Sequence, residues 1–134
     1  MKARDKDDQI KKFDINEQLK SFRNAFSGIA GLFRYEHNAR IHLFILIVVL
    51  LSGIFLRISP SDWIAIVFVS GLVFVSECFN TAVEYLSDVV SPEYNEKIKG
   101  AKDVAAAGVL ISAFISVIIG MIVFLPEIYR LIVS

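Results

Sequence analysis

The sequence predicts an all-α membrane protein, with an N-terminal amphipathic surface helix followed by three transmembrane helices. Three observations carry that expectation. Of the 134 residues 55% are hydrophobic and the mean hydropathy is +0.60, too apolar for an ordinary soluble domain of this size. Three long apolar segments are separated by short polar ones. No stretch alternates apolar and polar residues with the period of two that marks a half-buried strand. The length corresponds to one domain, 1–134. Formal net charge is zero, so no general electrostatic pull toward nucleic acid is expected.

The elements follow in order. Residues 1–12, MKARDKDDQIKK, are charged and expected to be mobile. No apolar core of signal-peptide length comes soon after them, so a cleaved secretory signal is not expected. The surface helix is expected over 14–40, with Asp14 as its N-cap and Glu17 three residues on. Ile15, Leu19, Phe22, Phe26, Ile29 and Phe33 recur at alternating spacings of four and three and form one apolar stripe. Lys20, Arg23, Asn24, Ser27 and Arg34 lie off it, an arrangement suited to a helix lying in the membrane interface. A soluble amphipathic helix is the blander reading, but the chain offers little soluble core for it to join.

The first span is expected over 41–56, between Arg40 and Arg57, whose side chains can snorkel to the headgroups. In the turn RISPSD, Ser59 is placed as N-cap, Pro60 at the first helical position and Asp62 to complete a capping box. The second span is expected over 63–90, opening with an interfacial Trp63 and stopped by Ser91 and Pro92. A polar segment, EYNEKIKGAKD, leads to the third span, 104–125. The single cysteine, Cys78, reads as a small core residue and implies no disulfide. In the third span Gly108, Ser112, Ser116 and Gly120 place a small residue at every fourth position, a stripe that allows close helix approach in lipid, and an oligomer is expected. Nine Lys and Arg residues precede Ile41, Lys97, Lys99 and Lys102 lie between the second and third spans, and Arg57 and Arg130 lie on the other side. The excess of positive charge places the N-terminus in the cytoplasm and the C-terminus outside.

The second span carries an anomaly. Within VSECFNTAVEYLSD, Glu77, Asn80, Glu84 and Asp88 fall within about 80° of one another on a helix turning 100° per residue. An acidic residue near the bilayer centre costs roughly 2.5–3.5 kcal/mol, so the stripe is not incidental. Counting about 20 residues from Trp63 puts Glu84 and Asp88 near the cytoplasmic boundary and leaves Glu77 around two turns inside. Continuing the surface helix's stripe past Phe33 adds Glu36 and then Arg40 to its buried face. The segment KGAKD puts Lys102 and Asp103 at the mouth of the third span. Carboxylates able to hold Mg²⁺, a lysine able to neutralise phosphate and a deeper carboxylate able to take a proton are the parts that phosphoryl transfer needs. No GxxxxGK[ST] loop is present, so a nucleotide would sit in a non-standard site.

Blander readings stand beside these. Asp88 also serves to solubilise a helix end, Lys97 and Lys99 to fix topology, and His37 and His42 to sit at the interface. Glu77 has no such reading, since a buried unpaired acid has no structural use. Three function classes compete: a lipid-modifying phosphotransferase, a small cation or proton transporter, and a packing subunit. A transporter needs polar groups through the full thickness, whereas the outer halves of the spans are apolar. A packing subunit needs neither Glu77 nor the group Glu36, Lys102 and Asp103. The interfacial enzyme fits best.

ECFNTAVEYLSD followed by KGAKDVAAAGVL closely resembles the signature of the prokaryotic diacylglycerol kinase family, which includes the undecaprenol kinases, and FRYEHNARIH resembles the close of its surface helix. The similarity covers roughly residues 20–125. It implies a homotrimer of three-span subunits with shared active sites in the bacterial cytoplasmic membrane. The implied activity is ATP- and Mg²⁺-dependent phosphorylation of a membrane lipid alcohol, diacylglycerol or undecaprenol. The NARIH and AKDVAAAGVL segments lean toward the undecaprenol branch. The resemblance further implies Glu77 as general base at the lipid hydroxyl, Asn80 in its support, and Glu36 and Glu84 as ligands of Mg²⁺ and ATP. Asp88, Glu93, Tyr94, Asn95, Lys102 and Asp103 are implied nucleotide contacts. Asn24 occupies a nucleotide-side position of the surface helix at which this sequence departs from the pattern.

Overall fold

The computed structural model describes residues 14–133, all of it helix and short connections. The charged segment 1–12 lies outside the described residues. Four helices follow one another: α1 (Ile15–Tyr35), α2 (His37–Leu56), α3 (Pro60–Val90) and α4 (Glu96–Val133). The last three are each long and apolar enough to cross a membrane, with mean hydropathies of 2.4, 1.8 and 2.8.

Asp14 caps α1, its Oδ1 accepting from the Asn16 N–H at 2.8 Å. The stripe residues Ile15, Leu19, Phe22, Phe26 and Ile29 are exposed, while Leu32 at the far end is buried. The helix does not run on to Arg40 as the periodicity suggests. Glu36 adopts an extended conformation (φ −92°, ψ 120°), its N–H still bonded to the Leu32 carbonyl, and α2 starts at the next residue. One extended residue therefore redirects the chain, and the first membrane-length helix begins at His37 rather than Ile41. Glu36 sits at that corner, half-buried, not on a continuous helical face.

The α2–α3 turn forms as its residues dictate. Arg57 closes α2 in the left-handed conformation (φ 53°). Ser59 Oγ accepts from the Asp62 N–H and Asp62 Oδ2 accepts from the Ser59 N–H, both at 3.2 Å, with Pro60 at the first position where no N–H is needed. Gly53 is required here: a Cβ on it would stand 2.8 Å from the Trp63 ring and 3.1 Å from Ile58. Around this close approach Ile58, Ile66 and Val123 form a buried apolar cluster, joined by Val49, Leu56 and Trp63.

Helix α4 begins earlier than expected. The polar segment taken to lead into the third span is helical from Glu96, because Asn95 Oδ1 caps it, accepting from the N–H groups of Lys97 (3.0 Å) and Ile98 (3.3 Å). The same helix continues past 125 through Pro126 to Val133. It packs antiparallel on α3 over most of its length: Lys102 reaches Asp88, Ser116 reaches Val69 and Val123 meets Ile66. The two serines of the small-residue stripe serve this intrachain contact. Ser112 is buried, and Ser116 Oγ donates to the Ser112 carbonyl (2.9 Å) and to the Val69 carbonyl of α3 (3.2 Å). Cys78, read as a core residue, is exposed on α3.

Candidate active site

Helix α3 buries one face, and the chemistry of that face changes halfway along. Ile66, Val69 and Val73 are followed on the same helical face by Glu77, Asn80, Thr81 and Ser87, all buried. The spacing that turns the apolar residues toward α4 turns the polar ones the same way. Glu77 is the deepest, with 2% of its surface exposed. Its Oε1 lies 3.3 Å from Nε2 of His42, which reaches across from α2. That contact has the distance of an ion pair but not the alignment of a hydrogen bond. Glu77 Oε1, Asn80 Oδ1 and Thr81 Oγ1 are buried without a hydrogen-bond partner among the described residues. Buried polar atoms are seldom left so, and three within two turns mark a place built for something other than packing.

The buried acid thus has a neighbour on another helix, His42. The sequence gives no local sign of this, since a partner 35 positions away on another helix leaves no periodic trace. Asn38, one turn before His42, is the other polar group α2 contributes. Asn38, His42, Glu77 and Asn80 line a cavity of about 260 Å³, closed by Ala106, Val109, Leu110 and Ala113 of α4. His42 and Ala113 also line a second cavity of about 220 Å³, which is apolar and is walled by residues such as Ile45, Val49, Val69, Val73 and Val117 of the three long helices. A chamber with polar groups on its α2 and α3 sides and apolar ones on its α4 side therefore stands against a more apolar one, with His42 in the wall of both.

Nearer the end of α3, Asn80 Nδ2 donates to Glu84 Oε1 at 3.1 Å. The Tyr85 hydroxyl, next in sequence to Glu84, makes a long contact (3.5 Å) with Glu36 Oε1 at the α1–α2 corner. Phe33 packs edge-on against Phe74, with ring centroids 5.7 Å apart, and fastens that corner to α3. Lys102 Nζ pairs with Asp88 Oδ1 (3.1 Å) and Lys99 Nζ with Asp103 Oδ2 (2.6 Å). The structure so gathers Glu36, Glu77, Asn80 and Glu84, with the Asp88–Lys102 pair beyond. Asn95 spends its side chain on the α4 cap, Glu93 and Tyr94 are exposed in the connection, and Asn24 is exposed on α1.

This geometry has known counterparts in sequence. The model of the family described as prokaryotic diacylglycerol kinase matches residues 23–124. The chain belongs to the prokaryotic diacylglycerol kinase family. It is 36% identical over 114 residues to an undecaprenol kinase of Bacillus subtilis, covering 85% of this chain and 93% of that one. To a diacylglycerol kinase of Synechocystis sp. it is 36% identical over 116 residues, covering 86% of this chain and 66% of that one. As a member of this family the chain is a membrane lipid kinase, and neither the transporter nor the packing-subunit reading is favoured.

Proposed function

We propose that the protein transfers the γ-phosphoryl group of ATP to the hydroxyl of a long-chain membrane lipid alcohol, and that undecaprenol is this alcohol in preference to diacylglycerol. The observation that carries the reading is the buried Glu77 in a chamber that it shares with Asn38, His42 and Asn80 and that adjoins an apolar one. A lipid alcohol has the same two parts, a hydroxyl and a hydrocarbon tail. Glu77 is the general base that takes the hydroxyl proton, and Asn80 keeps Glu84 oriented through its 3.1 Å bond. Lys102, now on Asp88, turns to the phosphates when a nucleotide arrives, and Asp103, Glu93 and Tyr94 border the same approach. The lean to undecaprenol is supported by the relative from B. subtilis, which aligns over nearly its whole length.

Glu36 and Glu84 fit Mg²⁺ in donor type. Both are oxygen ligands, one held by Asn80 and the other beside Tyr85. Among the described residues no three His, Cys, Asp or Glu side chains are arranged to hold a metal by themselves. Two carboxylates suit an ion that reaches the site on nucleotide phosphates, since Mg²⁺ in such sites keeps waters and takes only one or two carboxylates from protein. When bound, Mg²⁺ neutralises charge on the phosphates. The exposed apolar stripe of α1 lies in the membrane surface, the N-terminus faces the cytoplasm, and three copies associate with their sites shared between subunits.

The test offers purified protein, Mg-ATP and either undecaprenol or diacylglycerol in separate mixed micelles, and measures phosphate transfer. Faster turnover of undecaprenol is expected. Equal or faster turnover of diacylglycerol defeats the substrate assignment, and transfer to neither lipid defeats the proposal.

A further inference from the structure

The site contains a residue without a part in the chemistry so far, His42. It is 21% exposed, comes from a different helix than the acid, and is the basic group that reaches Glu77 among the described residues. Its placement is not loose. Ala39, three residues earlier on the same face of α2, is 0% exposed, so the helix is held against its neighbours at that point and its rotation is fixed. A histidine needed only to fill space between apolar walls would be a poor choice, because burying its ring nitrogens without partners costs free energy that a leucine avoids.

We propose that His42 is the positioning residue for Glu77. Its Nε2–H holds Oε1 of the carboxylate, keeps Oε2 turned into the chamber, and stabilises a buried carboxylate that no other described basic group reaches. The contact requires the imidazole tautomer that carries hydrogen on Nε2, or the doubly protonated ring. Rotation about the broad terminal torsion of the histidine brings the N–H into line from the present 3.3 Å contact. During transfer the lipid O–H bond breaks as the new O–P bond forms. The bond from the γ-phosphorus to the bridging oxygen of ADP breaks at the same time. The proton goes to Oε2 of Glu77 and leaves to water after the products part, while His42 keeps its own proton throughout. This inference rests on the reading of Glu77 as the base.

Four variants test it: His42→Gln, His42→Leu, Glu77→Gln and the double variant His42→Leu with Glu77→Gln. Glutamine places an amide N–H near the position of Nε2, so His42→Gln is expected to keep turnover within about fivefold of the unaltered protein. Leucine fills the space without a donor, and His42→Leu is expected to lose roughly 10–10²-fold in kcat with the KM for Mg-ATP unchanged, the scale seen where a partner orients a functional side chain. Because His42 acts through Glu77, the double variant is expected to be no slower than Glu77→Gln. Should His42→Leu fail to assemble in detergent, His42→Asn replaces it, since its donor lies at the Nδ1 position and turnover is expected to fall while His42→Gln retains it. Wild-type turnover in His42→Leu overturns the proposal, as do equal losses in the Gln and Leu variants. So do additive losses in the double variant, or a raised lipid KM at constant kcat, which makes His42 a substrate contact. An active parent protein with any of these results leaves the kinase reading standing. An inactive parent removes both.

Discussion

The two halves of helix α3 bury the same face by the same rule and do different things with it. From Ile66 to Val73 the face is aliphatic and closes against Val123 and its neighbours on α4. From Glu77 to Ser87 it is polar, and three of its buried atoms lack hydrogen-bond partners among the described residues. Helical spacing decides which residues are buried. Residue chemistry decides whether burial stabilises the fold or stores a group for use. In lipid the contrast is sharper than in water, because the aliphatic half gains only packing when it leaves hydrocarbon for protein, while the polar half has no comfortable alternative environment.

The largest expected effect lies in the polar half. Glu77→Gln should keep the fold and nucleotide binding and lose about 10²–10⁴-fold in turnover, the usual cost of removing a general base. Steady-state rates beside a nucleotide-binding titration check this, and near-normal turnover removes Glu77 from the chemistry. Next come Glu36 and Glu84. Each single alanine variant should weaken Mg-ATP binding by about 10–10²-fold, and the double variant should be little worse than either, since residues serving one ion are not additive. Mg²⁺ titrations of activity measure it. An unshifted curve for Glu36→Ala returns that residue to a structural role at the α1–α2 corner.

The aliphatic half should respond in stability instead. Ile66→Ala leaves a cavity in the apolar cluster but carries almost no transfer penalty in lipid, so roughly 1–2 kcal/mol is expected rather than the 2–5 of a water-soluble core. Turnover per folded molecule should be unchanged, and reversible unfolding in mixed micelles with parallel assays separates the two quantities. The smallest effect belongs off the stripe altogether. Lys99→Met breaks an exposed pair with Asp103 and should change stability by less than about 0.5 kcal/mol. A larger loss of stability there shows that burial on α3 is not what separates consequential polar residues from incidental ones.

Much of this was legible in the sequence. The cap at Asp14, the capping box of Ser59 and Asp62 and the shared face of Glu77, Asn80 and Glu84 all depend on residues a few positions apart, and all three formed. The bend at Glu36 was not legible, because the apolar period continues through it and neither Gly nor Pro marks it. The start of α4 was misread because a polar segment was taken for a connection. Glu, Lys and Ala are good helix formers, and the Asn95 cap was the signal that gave the true boundary. Of the stripe Gly108, Ser112, Ser116 and Gly120, read as a face for a second copy, the two serines meet α3 of the same chain, a partner that the spacing could not name. The His42–Glu77 contact was not legible for the same reason. Contacts between distant elements have no spacing to betray them.

Helix α4 has a kinetic consequence. At 38 residues it is roughly 57 Å long, against about 30 Å of hydrocarbon, so a substantial part of it stands clear of the bilayer. Lys99, Lys102 and Asp103 are carried on this rigid shaft instead of on a loop. A nucleotide bound by Lys102 and Asp103 as proposed would meet side chains whose backbone is already ordered, sparing the roughly 1–2 kcal/mol per residue that immobilising a flexible segment costs. Capture at this end should therefore be limited by encounter and by exchange of the Lys102–Asp88 pair. No slow ordering phase should appear when nucleotide and protein are mixed rapidly.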